Sequence, residues 1–111
     1  MALLTATSVT STATTVTGAA MTTSDTVSGS DIGPNGALLN VINGGGSSIN
    51  VTLADPNLTA VGNAGTAVAQ AVPAGSDRWF RLSPGHVNPS NGVAAVALSS
   101  ATSVTYKLIR C

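Results

Sequence analysis

The sequence reads as an all-β protein, a small antiparallel β-sandwich of jelly-roll-like build with an extended N-terminal arm. Three observations lead there. Apolar residues recur with a period of two almost throughout, and nowhere with the 3.6-residue period of an amphipathic helix. Clusters of Gly, Pro, Asn and Ser cut the chain into short segments at the spacing of a sandwich or barrel. Ten of the fifteen threonines fall in the first thirty residues, where β-branched side chains, stiff at χ1, favour extended backbone.

The elements follow in chain order. Residues 3–17 are small and β-branched almost without interruption and form an extended arm. After the break at Gly18, Ser24–Ser28 is a second extended piece. The run from Asp31 to Gly36 is dense turn chemistry, with Pro34 fixing φ and Asn35-Gly36 tolerating φ > 0. Ala37–Asn43 is apolar on both faces, as a central strand would be. The glycines Gly44, Gly45 and Gly46 then mark a hairpin bend. In Ile49–Leu53 the residues Ile49, Val51 and Leu53 alternate with Asn50 and Thr52, and Asp55-Pro56 ends that strand. A long loop over 56–66 precedes a strand over 67–72 and a tight turn through Pro73 and Gly75. Asp77–Leu82 is a strand holding two of the three aromatic residues. A second long loop spans 83–91, and strands over 92–98 and 104–109 close the chain. This divides the protein into an arm, 1–30, and a β-sandwich domain, 31–111.

Composition limits the function. One domain of 111 residues with one Trp, one Tyr and one Phe buries little area per side chain, so it gains stability from partners. Four cations (Arg78, Arg81, Lys107, Arg110) balance four carboxylates (Asp25, Asp31, Asp55, Asp77). Without clustered Lys and Arg there is no means of displacing counterions from nucleic acid. Sparse charge with a positive mean hydropathy fits a subunit whose surface is covered in an assembly. The single cysteine, Cys111, allows no internal disulfide. The N-terminus lacks the pattern of a secretory leader, and no run approaches the roughly 18–20 apolar residues of a membrane span. The chain is expected to be made and used in soluble form.

No catalytic, metal or cofactor site is expected, and the chain is not expected to be an enzyme. The Gly-rich stretch 43–48 lacks the Lys-Ser/Thr of a phosphate loop and opens into a strand. His86, the only histidine, has no partner set with metal-ligand or triad spacing. Asn50-Val51-Thr52 and Asn57-Leu58-Thr59 match the glycosylation sequon, the first within a strand. The candidate interface residues are Trp79 and Arg81, which alternation places together opposite Phe80 and Leu82, and Thr5, Thr7 and Val9 of the arm.

The order of certain stretches resembles a known family. After a Thr/Ala-rich N-terminus come Ala37-Leu-Leu-Asn-Val-Ile-Asn-Gly44 and Ser48-Ile-Asn-Val-Thr-Leu53. Then follow Val72-Pro-Ala-Gly-Ser-Asp-Arg-Trp79, Asn91-Gly-Val-Ala-Ala-Val96 and Ala101-Thr-Ser-Val-Thr-Tyr106. Over residues 35–111 the chain resembles the head decoration, or capsid cement, proteins of tailed bacteriophages. The resemblance implies a structural virion protein without catalytic residues. Such a protein sits on the lattice of the major capsid protein at the capsid surface, commonly as a homotrimer, after synthesis in the host cytoplasm. Two alternatives remain open: a neck or tail component such as a head–tail connector or minor tail protein, and a carbohydrate- or cell-surface-binding sandwich.

Overall fold

The computed structural model describes residues 2–16, 18–56, 61–63 and 67–110. Its strands are β1 Ala2–Leu3, β2 Thr7–Ser8, β3 Ala19–Ala20, β4 Ser24–Ser28, β5 Ala37–Asn43 and β6 Ile49–Leu53. They continue with β7 Gln70–Val72, β8 Asp77–Leu82, β9 Val87–Asn88, β10 Val93–Leu98 and β11 Val104–Arg110. A one-turn helix α1, Gly29–Ile32, and a 3₁₀ turn, Pro84–His86, complete the set.

Two sheets pack face to face. The first runs β1-β4-β10-β6-β7, with β9 also on β10; the second runs β2-β11-β5-β8, with β3 also on β11. All pairings are antiparallel except β1 with β4 and β2 with β11. The expected β-sandwich is therefore the fold. Chain connections pass repeatedly from one sheet to the other: β4 lies in the first, β5 in the second, β6 and β7 in the first, β8 in the second. The molecule is 20 Å along its thinnest axis, the depth of two sheets about 10 Å apart with their outer side chains.

Alternation builds the core. Leu39 and Val41 of β5, Leu82 of β8 and Leu108 of β11 meet Val27, Val51, Val72 and Val96 of the opposite sheet, all buried. Phe80 packs half-buried beside them, and Tyr106 enters the core with its ring. Because half of the buried apolar side chains are Val or Ala, the contact between the sheets is thin in area. A polar link supplements it: Asn43 of β5, buried, donates from Nδ2 to the carbonyls of Ser47 (2.8 Å) and Val72 (3.1 Å), and its Oδ1 accepts from Gly45 N–H (3.0 Å). The turn before β5 requires glycine at its last position. Gly36 has φ +83°, and a Cβ there would lie 2.6 Å from the Leu82 carbonyl oxygen.

The Thr-rich segment differs from the expected extended arm. Over residues 3–8 and 18–28 it lies on the sandwich. β4 is an interior strand of the first sheet, between β1 and β10. Residues 3–7 alternate, with Leu4 and Ala6 buried and Leu3 and Thr5 exposed. The chain passes from β1 on the edge of the first sheet to β2 on the edge of the second, so Leu4 and Ala6 plug the seam between β4 and β11. Leu4 N–H donates to Thr26 O (2.8 Å) and Thr5 N–H to the Tyr106 hydroxyl (2.9 Å). Met21, also buried, closes the same seam between β3 and β4, its N–H donating to Val104 O (3.2 Å). Buried Asp25 shapes the turn into β4 by accepting from the backbone N–H (2.9 Å) and the hydroxyl of Thr22. Arg110 ties the end of β11 to Asp31 (2.8 Å) and to Ser8 Oγ (2.6 Å). Residues 9–15 remain exposed.

Smaller differences have local causes. The strand expected over 67–72 is paired only over Gln70–Val72, opposite Ile49 to Val51 of β6. The loop expected over 83–91 contains structure: Pro84 starts a 3₁₀ turn, whose missing N–H costs nothing at that position, and β9 follows.

Candidate docking face

The interface candidates of β8 and of β2 fall on one surface, the outer face of the second sheet. Inward alternation of Leu39, Val41 and Asn43 sends Leu38, Asn40 and Ile42 of β5 outward. Register then fixes three rows across the sheet. Thr7, Ile109, Leu38 and Arg81 form one; Lys107, Asn40 and Trp79 form the next; Ala20, Thr105, Ile42 and Asp77 form the third. At about 4.8 Å per strand, Thr7 and Arg81 stand roughly 14 Å apart at opposite ends of their row.

An outer sheet face is ordinarily polar. This one carries Leu38, Ile42 and Ile109, each half-buried, and Trp79, which is 53% exposed. Asn40 lies buried in the middle of the face, its Nδ2 donating to Asp77 Oδ2 (2.8 Å) and to Arg78 O (3.3 Å). The charges are uneven between the sheets. Arg81, Lys107 and Asp77 stand on this face and Arg78 beside it, whereas the outward residues of β4, β6 and β10 are Ser, Thr, Asn, Ala and Val. Arg81 is oriented by donating to the Asn35 carbonyl, which turns its guanidinium toward the β5 entry turn.

One side of the sandwich is closed and the other open. The N-terminal segment covers β4 and β11, while β7 and β8, joined by the turn through Pro73 and Gly75, have no further strand beside them among the described residues. Between these two edges runs a groove of about 310 Å³ lined by Gln70, Ala71, Arg78, Trp79 and Phe80. Ladder alternation shows which backbone groups are open. Asn43 N–H donates to Ser76 O (2.9 Å), so the pairs two, four and six residues on, through Arg78, Phe80 and Leu82, also face β5. The N–H and C=O of Asp77, Trp79 and Arg81 therefore point outward along the edge. Arg78 covers part of it, donating from Nη1 to Asp77 O (2.7 Å).

The remaining candidates lie elsewhere. Thr5 is exposed over the seam, and Val9 is 54% exposed beyond β2. Leu38, Ile42, Lys107 and Ile109 were not singled out from the sequence. Their signal was present, because Ile109 breaks the alternation of β11 and β5 is apolar at outward positions too. His86 Nδ1 accepts from Ser83 N–H (3.1 Å) and lies 3.0 Å from Ser83 Oγ, the pattern of a cap on the 3₁₀ turn. Asp77 is engaged by Asn40. Of the sequons, Asn50 is exposed within β6, and residues 57–59 lie outside the described residues, as does Cys111. Among the described residues no three His, Cys, Asp or Glu side chains gather around one point. Comparison with family models, curated proteins and solved structures gave no match in any of the three.

Proposed function

We propose that this chain is a structural virion protein, a capsid decoration or cement protein that binds the assembled shell through the outer face of its second sheet. The observation that carries this reading is that face: apolar residues at Leu38, Ile42 and Ile109 around a half-exposed Trp79, where the outward residues of β4, β6 and β10 on the opposite sheet are Ser, Thr, Asn, Ala and Val. Trp and Arg are the residue types most enriched at binding hot spots, and here they stand on adjacent rows. The small local surplus of cations on this face, Arg81 and Lys107 against Asp77, fits an acidic patch on the partner. The sequence resemblance supports the same reading over residues 35–111.

The mechanism is linkage. A protein that binds only the mature shell stabilises it by RT ln(1 + [L]/Kd), about 2.7 kcal/mol per site at a hundredfold excess over Kd. Summed over a lattice, such increments raise the temperature at which the shell fails. Decorated particles should therefore lose integrity at a higher temperature than stripped ones. Trp79→Ala should cost 2 kcal/mol or more in binding, about thirtyfold in Kd, while changing the unfolding midpoint of the free protein little, because the side chain is half-exposed. Equal failure temperatures for decorated and stripped shells, or full occupancy by the Trp79→Ala protein, would count against the proposal.

A further inference from the structure

The open edge of β8 has a sequence that complements itself. In Asp77–Leu82 the outward-pointing backbone belongs to Asp77, Trp79 and Arg81, with Trp79 at the centre, an acid two residues before it and a base two residues after. An antiparallel strand from a second copy, centred so that Trp79 lies opposite Trp79, sets Asp77 against Arg81 of the second copy and Arg81 against Asp77 of the second copy. All three pairs are then hydrogen-bonded pairs, because all three residues have their N–H and C=O turned to the open side, with the Arg78 guanidinium moving off the Asp77 carbonyl as the second strand arrives. Moving the centre to residue 78 or 80 keeps the hydrogen bonds but sets Trp79 opposite Asp77 or Arg81 and unpairs a charge.

We infer that β8 is a self-pairing edge and that its occupant is a second copy of this chain, related by a twofold axis through Trp79. Four features of the structure support this occupant. Opposite charges directly across an antiparallel pair stabilise it and like charges do the reverse, so this register is favoured twice over by symmetry. On the other face, Arg78 comes opposite Phe80 of the second copy, a cation over an aromatic ring beside the groove between β7 and β8. The opposite edge of the second sheet is broken into β2 and β3, two residues each, which leaves β8 as the long edge strand of that sheet among the described residues. The contact is also isologous, so it closes at two copies and does not propagate into a fibre. A threefold ring would require two different patches to meet.

The pair would join the two second sheets into one continuous sheet of twice the width. Both Trp79 side chains and both sets of Leu38, Ile42 and Ile109 would then lie on one outer surface. Edge pairing thus leaves the docking face available and doubles it. The inference stands apart from the virion reading, since it rests on β8 alone.

The test is sedimentation of the full-length protein, free of any shell, from about 10 µM to 1 mM, the range in which a short edge contact associates. Dimers are expected, with low-salt sedimentation giving the tighter constant. Asp77→Arg and Arg81→Asp should each weaken dimerisation about tenfold or more, since each converts two attractive pairs into two repulsive ones. The double variant carrying both changes restores the pairing and should return the constant to within about threefold of the original. Because Asp77 also holds Asn40, a covalent readout accompanies the swap. Trp79→Cys in a Cys111→Ser background should form a disulfide-linked dimer under mild oxidant, since directly opposed Cα atoms in a hydrogen-bonded pair are about 5.5 Å apart. Ala71→Cys in the same background should not. A monomer throughout the range, a trimer, failure of the double swap to recover what the single changes lose, or equal cross-linking at 71 and 79 would overturn the inference.

Discussion

Removal of residues 1–8 should cost the folded protein roughly 3–6 kcal/mol and lower its urea midpoint sharply. The segment supplies Leu4, 2% exposed, and Ala6 to the seam between β4 and β11, and it pairs with the outer edges of both strands. A buried leucine alone is worth about 2–5 kcal/mol against alanine, so Leu4→Ala should reproduce much of the loss in the full-length chain. The Tyr106 hydroxyl, which accepts from Thr5 N–H, adds a smaller share that Tyr106→Phe should isolate at about 1 kcal/mol. Against a typical total of about 5–15 kcal/mol, the truncation would leave a marginal domain with two newly opened strand edges, and aggregation should accompany it. An unchanged midpoint in the truncated protein would mean that the segment does not close its own seam in solution.

The second large effect is expected at Asn43. Its side chain is 1% exposed and makes three hydrogen bonds, two donated to the carbonyls of Ser47 and Val72 and one accepted from Gly45 N–H. Asn43→Ala strands all three backbone groups in or near the core. Buried groups left without partners cost about 1–3 kcal/mol each, and partial rehydration at the Gly-rich bend should hold the net loss to about 2–4 kcal/mol. Asn43→Asp preserves size but points a carboxylate at two carbonyl oxygens, and it should be at least as damaging at neutral pH. Equilibrium denaturation of both variants tests this. A shift under about 0.5 kcal/mol for Asn43→Ala would show that the two sheets do not depend on this link.

Much of the architecture was legible because its signals are local. Ile49–Leu53 and Asp77–Leu82 alternate in sequence as they do in the fold, and Phe80 and Leu82 face inward with Trp79 and Arg81 outward as alternation requires. The bend after Asn43 and the turn through Gly75 follow from glycine content. The destination of the Thr-rich segment was not legible. Its period of two marks extended backbone but cannot say which edge it pairs with, and β1 and β2 are two residues each, joined in parallel to strands more than twenty and a hundred residues away. Such pairing is decided by the unfilled seam, a tertiary property. The candidate docking face was half legible. Apolar positions on both sides of Ala37–Asn43 indicate a central strand, and β5 is indeed interior to its sheet. No layer among the described residues covers the outer side, and strand alternation alone cannot show that.

The most direct measurement is the number of copies of this chain per particle in virions purified from the cells that make it, by quantitative gel or mass spectrometry. A shell protein fixed at every equivalent lattice position is present in hundreds of copies, in a constant ratio to the major capsid protein, and that is the result expected. About six or twelve copies would place it in a ring at the neck or tail instead. Its absence from particles would contradict the idea that this small sandwich serves by adhering to a protein shell.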